Sequence, residues 1–258
     1  MKKMIFTLTI IISMCLSGVG LAKDKYKIAT EGAYKPFNYV EPSGEIKGFD
    51  VDIAKAICEQ MRVECELVIQ DWDGMIPGLL AKKFDFIVAS MSITAERKKA
   101  VNFSDPYYEE AGLFIAAEGA NLVFTKQGLK GKKIGVQRAT TWANYLEAIY
   151  GGVVDIKFYD SVENHNLDLK SGRLDAALAN GVYMGDWLKT PEGKGFKVVG
   201  DPVRDTQYIG EGVGITIRKA DGELLKKINA ALKTVIDNGT HKKHADKYFS
   251  VDIYPYKK

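Results

Sequence analysis

The feature that most constrains this chain is an alternation of apolar runs and amphipathic stretches that completes itself and then restarts. "YKIATEG" (26–32), "ECELVIQ" (64–70), "DFIVASMS" (85–92) and "AGLFIAAE" (111–118) read as strands. Between them, 50–61 reads as a helix, 72–84 as a turn entering a helix, and 94–103 as a short helix. The rhythm begins again at "LKGKKIGVQ" (129–137), a turn and a strand. The helix "TTWANYLEAIYG" (140–151), the strand "VVDIKFYD" (153–160), the helix "SVENHNLDLKSGR" (161–173) and the strand "LDAALAN" (174–180) follow. A further helix at 182–190, a strand at 196–200, the stretch 212–219, a long helix at 222–239 and a basic helix to Phe249 close the chain. Strand–helix–strand order predicts parallel sheets, and two such runs predict an α/β protein of two lobes.

The length, 258 residues, suits two lobes of ordinary size, and 46% apolar with 27% charged residues is a globular mixture. Residues 1–22 stand apart. Lys2 and Lys3 precede a nearly unbroken apolar run over 4–16, and Gly20 and Ala22 supply small residues for a cut after Ala22. The run is too short to span a bilayer, so the segment reads as a secretory signal peptide. Cys15 raises a lipoprotein alternative, which Met14 before it disfavours. Removing 1–22 takes away two lysines and no acids, which brings the formal net charge from +3 to +1. That is no footprint for nucleic acid.

An exported chain left with Cys58 and Cys65 is expected to join them. Ile53, Ile57 and Met61 follow helical spacing with Cys58 beside them, and Val63, Cys65, Leu67 and Ile69 alternate as in a strand. Both sulfurs can then meet at a buried helix-to-strand corner. The alternative is two buried free thiols.

In α/β sheets, ligands bind beyond the carboxyl ends of strands. Glu31, residues 90–92 (Ser90, Met91 and Ser92), the pair Thr140 and Thr141, and Asn180 each follow an apolar run. Four such ends from two lobes predict one cleft between them.

At this point the chain resembles a known family. "EGAYKPFNY", "GFDVDIAKAICEQM", "WDGMIPGLLAKKFDFIVASMSITAERKKAVNFSDPYY", "LKGKKIGVQRATT" and "SGRLDAALAN" are similar, in order and spacing, to the periplasmic polar amino-acid-binding proteins of ABC importers. The lysine/arginine/ornithine-, histidine- and arginine-binding branches look nearest. "ATEGAY", "WDG" and "SVENHNLDLKSGRLDAALAN" also resemble the octopine- and nopaline-binding branch, whose ligands join arginine to a keto acid. The resemblance covers about 26–249. It implies a two-lobe periplasmic-binding-protein fold of type II with two crossing hinge segments. Lobe one is expected at 23–112 plus 208–258, lobe two at 113–207, and the hinge near 109–115 and 203–211. It further implies periplasmic localisation, an amino-acid ligand, transient docking on an inner-membrane ABC permease, a monomer and no cofactor.

The same resemblance suggests roles for individual residues. Arg97 matches the arginine that grips a ligand α-carboxylate, for which a guanidinium fork is well shaped. Thr94 is expected to cap its helix, and Ser90 and Ser92, on alternate residues, to point the same way. Thr140 and Thr141 open the next helix and can donate to the same carboxylate, or simply cap. Tyr34 and Trp72, in loops, offer aromatic faces to a flat or cationic side chain. Glu31 matches the acid that meets a distal cation, and a glutamate buried in a cleft requires a positive partner. Asn180 stands where free-amino-acid binders carry an aspartate for the α-ammonium, and Ala89 replaces a common serine. Gln137 adds a polar group at the far wall. His165 lies in the opine-like stretch, on a helix where histidines more often face solvent. These departures put free lysine, arginine or ornithine in doubt and raise an opine-like ligand.

Other classes are weakly signalled. The same fold carries cyclohexadienyl dehydratases, for which Glu31 is the one obvious general acid. A ligand sensor for a chemoreceptor or sensor kinase is also compatible. His241 and His244 lie three apart on a lysine-rich helix without other ligand types nearby, and read as a solvated face rather than a metal site.

Overall fold

The computed structural model describes residues 24–109 and 111–254. The expected signal peptide, 1–22, lies outside the described residues, as does residue 110 of the expected first hinge. Among the described residues, no helix is long and apolar enough to cross a membrane.

Two five-stranded sheets organise the chain. One runs in the order Glu64–Ile69, Lys25–Thr30, Phe86–Ile87, Thr216–Arg218, Val101–Phe103. The other runs Asp155–Tyr159, Lys133–Gln137, Ala176–Asn180, Gly112–Ala117, Phe196–Val203. In each, the first three strands are parallel and the fourth is antiparallel to both neighbours. The sheets are therefore mixed, not wholly parallel as the strand–helix rhythm predicts. The cause is topological: the fourth strand of each sheet arrives from the other lobe and enters reversed.

Local structure departs from the sequence reading at three places near the cleft. The strand expected over 85–92 is confined to Phe86–Ile87, and Ser90, at φ 54°, breaks any extension of it. The helix expected over 94–103 ends at Ala100, and Val101–Phe103 forms the edge strand. Residues after the first strand form an unforeseen antiparallel meander, Ala33–Tyr34, Asn38–Val40 and Ile46–Lys47. The meander returns at Gly48, φ 127°, where a Cβ would lie 2.2 Å from the Phe37 carbonyl oxygen, so glycine is required.

The helix Phe49–Met61 follows directly. It buries Phe49, Ile53, Ala54, Ile57 and Cys58, a stripe at helical spacing. The helix Gly222–Asp237 lays Leu224, Ile228, Ala231, Leu232 and Val235 against it. Arg62 turns the corner in the left-handed conformation, φ 58°, and the Cys58–Cys65 disulfide joins the helix to the edge strand Glu64–Ile69, as expected.

The lysine-rich helix Thr240–Tyr248 corrects one expectation. His241 is fully buried, not solvated. Its ring meets Phe49 edge-on at 5.4 Å, and its Nε2 lies 2.6 Å from the Tyr107 carbonyl oxygen. Burial lowers its pKa to about 4. His244, by contrast, is partly exposed, 3.4 Å from Asp52.

Candidate functional site

The strand ends singled out in the sequence converge where the lobes meet. Lobe one contributes Glu31, Tyr34, Trp72, Ala89, Ser90 and Ser92 to one cavity; lobe two contributes Gln137, Thr140, Thr141 and Trp142. The strands Lys25–Thr30, Phe86–Ile87 and Lys133–Gln137 all release their chains into this junction, which is where the parallel part of such a sheet has free backbone groups. The enclosed space is about 20 Å³, room for about one water. A molecule larger than that fits only if the lobes part.

Direct bonds across the junction hold the lobes together. Gln137 Nε2 donates to Glu31 Oε1 at 2.5 Å and to the Asp160 carbonyl at 2.9 Å. The Trp72 indole N–H donates to the Ala139 carbonyl at 3.1 Å. Arg97 donates from Nη1 to the Ser92 carbonyl at 2.9 Å and from Nη2 to the same Ala139 carbonyl at 3.2 Å. Its guanidinium carbon lies 5.4 Å from the Trp72 ring centroid, within cation–π range. Ser92 and Thr141 pair their hydroxyls at 3.3 Å. At the rim, Arg138 binds Asp73 of lobe one at 3.4 Å and Asp160 of its own lobe.

The helix starts are built as expected. Thr94 accepts from the Arg97 N–H at 3.2 Å, and so places the arginine at the first turn of Ala95–Ala100. Thr140 accepts from the Ala143 N–H at 3.1 Å at the start of Thr141–Tyr150 and donates to the Gln137 carbonyl at 2.7 Å. Both caps satisfy donors that a helix start otherwise leaves open.

Several residues stand differently from the sequence reading. Ser90 and Ser92 do not point the same way. Ser90's left-handed backbone turns its hydroxyl onto Asp50 Oδ2, at 2.9 Å, while Ser92 faces Thr141. Met91 does not line the cavity; it is buried in the lobe-one core, its sulfur accepting from Thr216 at 3.3 Å. The faces of Tyr34 and Trp72 are covered. Tyr34 stacks on Tyr183 of lobe two with centroids 5.0 Å apart, and both residues are under 10% exposed. His165 is buried, not at the surface, with its ring edge-on to Tyr159 at 6.1 Å. Asn180 is buried as the cap of Gly181–Trp187, its Oδ1 accepting from the N–H groups of Val182 and Tyr183 at 2.8 and 3.2 Å. It is not among the residues lining the cavity.

Trp142 is the lining residue that sequence reasoning missed. It packs into the lobe-two core and against Gly112, where a Cβ would meet its ring at 2.6 Å. Its only signal was its place after the threonine pair.

Glu31 is 7% exposed. Burial pushes its pKa up to about 7; the Gln137 hydrogen bond opposes this, and Glu163 and Asp71 add to it. Burial also raises Glu163. For His165, burial lowers the pKa to about 3, so the ring is neutral. Among the described residues, no group of three or more His, Cys, Asp or Glu side chains is placed to hold a metal ion.

A cleft of this construction between two crossed α/β lobes has counterparts. The model of the bacterial extracellular solute-binding proteins, family 3, matches residues 26–251. This chain belongs to that family. Family 3 membership extends across both lobes and accounts for the two-lobe type II architecture. The L-arginine-binding protein of Pseudomonas aeruginosa is 45% identical over 257 residues, which cover 98% of this chain and 99% of that protein. The octopine-binding periplasmic protein of Rhizobium meliloti is 36% identical, over 93% of this chain and 96% of that protein. Among solved structures, the arginine-specific periplasmic binding protein of Salmonella typhimurium superposes with a TM-score of 0.81 at 35% identity, covering 88% of this chain and 99% of the other.

Proposed function

We propose that this chain is a periplasmic solute-binding protein that captures a cationic amino acid of the arginine, lysine, ornithine or histidine type, or an arginine-derived opine, and delivers it to an ABC importer. One observation carries the reading: the interlobe cavity holds a buried carboxylate, Glu31, and lies beside the Arg97 guanidinium. A cationic amino acid bears the complementary pair, a cation and a carboxylate. The arginine- and octopine-binding relatives support this class of ligand.

In this reading lobe one spans 23–112 plus 208–258 and lobe two 113–207, with hinges near 109–115 and 203–211. The lobes part, the ligand replaces the direct bonds from Glu31, Trp72 and Arg97 to lobe two, and closure follows from its differential contacts. The closed monomer docks transiently on an inner-membrane permease. The chain itself catalyses nothing and needs no cofactor. Glu31, Tyr34, Trp72, Ala89, Ser90, Ser92, Arg97, Gln137, Thr140 and Thr141 form the site. Met91, His165 and Asn180 support it from behind.

Isothermal titration of refolded, ligand-stripped mature protein with L-arginine, L-lysine, L-histidine, octopine, nopaline and L-glutamine tests the reading. Binding of a basic amino acid or an opine, with glutamine weaker, is expected; silence from all six rejects it.

A second reading rests on Glu31. A buried carboxyl that titrates near pH 7 has the property a general acid needs. Turnover of a cyclohexadienyl substrate, abolished by Glu31→Gln, would mark the chain as a dehydratase.

A further inference from the structure

Asp50, the second residue of the helix Phe49–Met61, has no exposed surface and does not line the cavity. Its carboxylate nevertheless gathers three side-chain donors. The Tyr107 hydroxyl donates to Oδ1 at 2.7 Å, and Asn38 Nδ2 and Ser90 Oγ each donate to Oδ2 at 2.9 Å. A fully buried carboxylate is costly unless its lone pairs are satisfied. Here they are satisfied from three separate segments of the chain.

Each donor leads somewhere. Asn38 Oδ1 accepts from the Gly32 N–H at 2.8 Å, next to Glu31. Ser90 lines the cavity and holds φ 54°, a conformation that a residue with a side chain keeps only where its surroundings impose it. Tyr107 lies on the first segment that crosses between the lobes, and its carbonyl is fixed by His241.

We propose that Asp50 is a positioning residue for ligand binding: it sets the lobe-one wall of the cavity at Gly32 and Ser90 and fastens that wall to the crossing segment at Tyr107. This rests on the cavity being the ligand site. The aspartate of "GFDVDIA" thereby acts on the ligand without touching it.

A double-mutant cycle separates this role from general destabilisation. Affinity for the tightest binder among L-arginine, L-lysine and octopine is measured for Asp50→Asn, Ser90→Ala and Thr141→Ala on the full mature chain, and for Asp50→Asn paired with each of the other two. Asparagine keeps the shape but removes the charge and replaces one acceptor oxygen with a donor amide, so the Tyr107, Asn38 and Ser90 bonds cannot all persist as they are. Asp50→Asn is expected to weaken binding at least tenfold. Adding Ser90→Ala should then cost nothing further, whereas Thr141→Ala, which pairs with Ser92 and not with Asp50, should cost its full single-variant loss. Additive losses in both cycles, or wild-type affinity in Asp50→Asn, overturn the proposal. Should Asp50→Asn not fold, Tyr107→Phe replaces it, because it deletes a single donor. It must weaken binding and couple to Ser90→Ala, and additivity there counts equally against the role. A wild-type protein that binds none of the three probes rejects the proposed function, and this role with it. A wild type that binds, with additive cycles, rejects only the role of Asp50.

Discussion

Gln137 donates its side-chain amide to Glu31 across the junction of the lobes, 2.5 Å from Nε2 to Oε1. The bond gives the acid one neutral donor and no counter-charge, so its titration reports on the state of the cleft.

Glu31 titrates at about 7 in the folded chain against 4.5 for an unperturbed group. A raised carboxyl pKa favours folding while the group is protonated. The contribution is whole below pH 4.5, fades as pH rises towards about 7, and is gone above. Its size is on the order of 3 kcal/mol. In urea unfolding of ligand-free protein at pH 4.5 and pH 8, wild type should lose about this much stability relative to Glu31→Gln. Binding of a cationic ligand has the opposite sign and should tighten as pH rises through 7. A pH-independent difference between the two proteins contradicts the buried, unpaired state of this acid.

Arg97 spans two carbonyls, one from each lobe, and stands over Trp72. Arg97→Ala should lower ligand affinity at least about 100-fold, the scale of a bidentate charge-assisted pair. Arg97→Lys should recover little, because an ammonium cannot serve both directions at once. Titration calorimetry of the two variants decides this, and near-normal binding by Arg97→Ala removes the carboxylate role.

Asn180 offers a cleaner substitution, because a carboxylate can take over its capping bonds to Val182 and Tyr183. Asn180→Asp keeps the cap but places a charge at a position with no exposed surface and should melt below wild type, while Asn180→Ala should lose about 1 kcal/mol. Because Asn180 does not line the cavity, Asn180→Ala should leave ligand affinity within a few-fold of wild type, which titration calorimetry checks.

The disulfide Cys58–Cys65 closes a short loop between a helix and an edge strand, away from the cavity. Replacing both cysteines with alanine should cost about 2.5 kcal/mol on the loop-closure estimate and leave ligand affinity unchanged. Denaturant unfolding paired with a titration checks both halves.

What the sequence revealed of this molecule follows from how local each signal is. Glu31, Ser90, Ser92, Thr140 and Thr141 were legible because a polar residue ending an apolar run marks a strand end, and such ends converge in this architecture. The helix caps Thr94 and Thr140 were legible for the same reason: their partners lie three residues away. Asp50 was not. In sequence it is an acid in the first turn of a helix, and its partners Asn38, Ser90 and Tyr107 lie 12, 40 and 57 residues away. Asn180 and Met91 sat at the right strand ends, but backbone direction turned one onto its own helix and the other into the core. The two antiparallel strands escaped the periodicity argument because apolar alternation carries no information about direction.

The crossed connection also orders the making of the protein. All five strands of the second sheet are drawn from 112–203 without interruption, whereas the first sheet takes an interior strand, Thr216–Arg218, from near the far end of the chain. A polypeptide emerging N-terminus first can finish its later-numbered lobe while the earlier one still waits for that strand, with the flank of Phe86–Ile87 unpaired. An unpaired strand flank is where neighbouring chains add on. Cutting the molecule after residue 207 should therefore leave the second sheet able to form, and the first, deprived of Thr216–Arg218 and of the helices Gly222–Asp237 and Thr240–Tyr248, prone to aggregate.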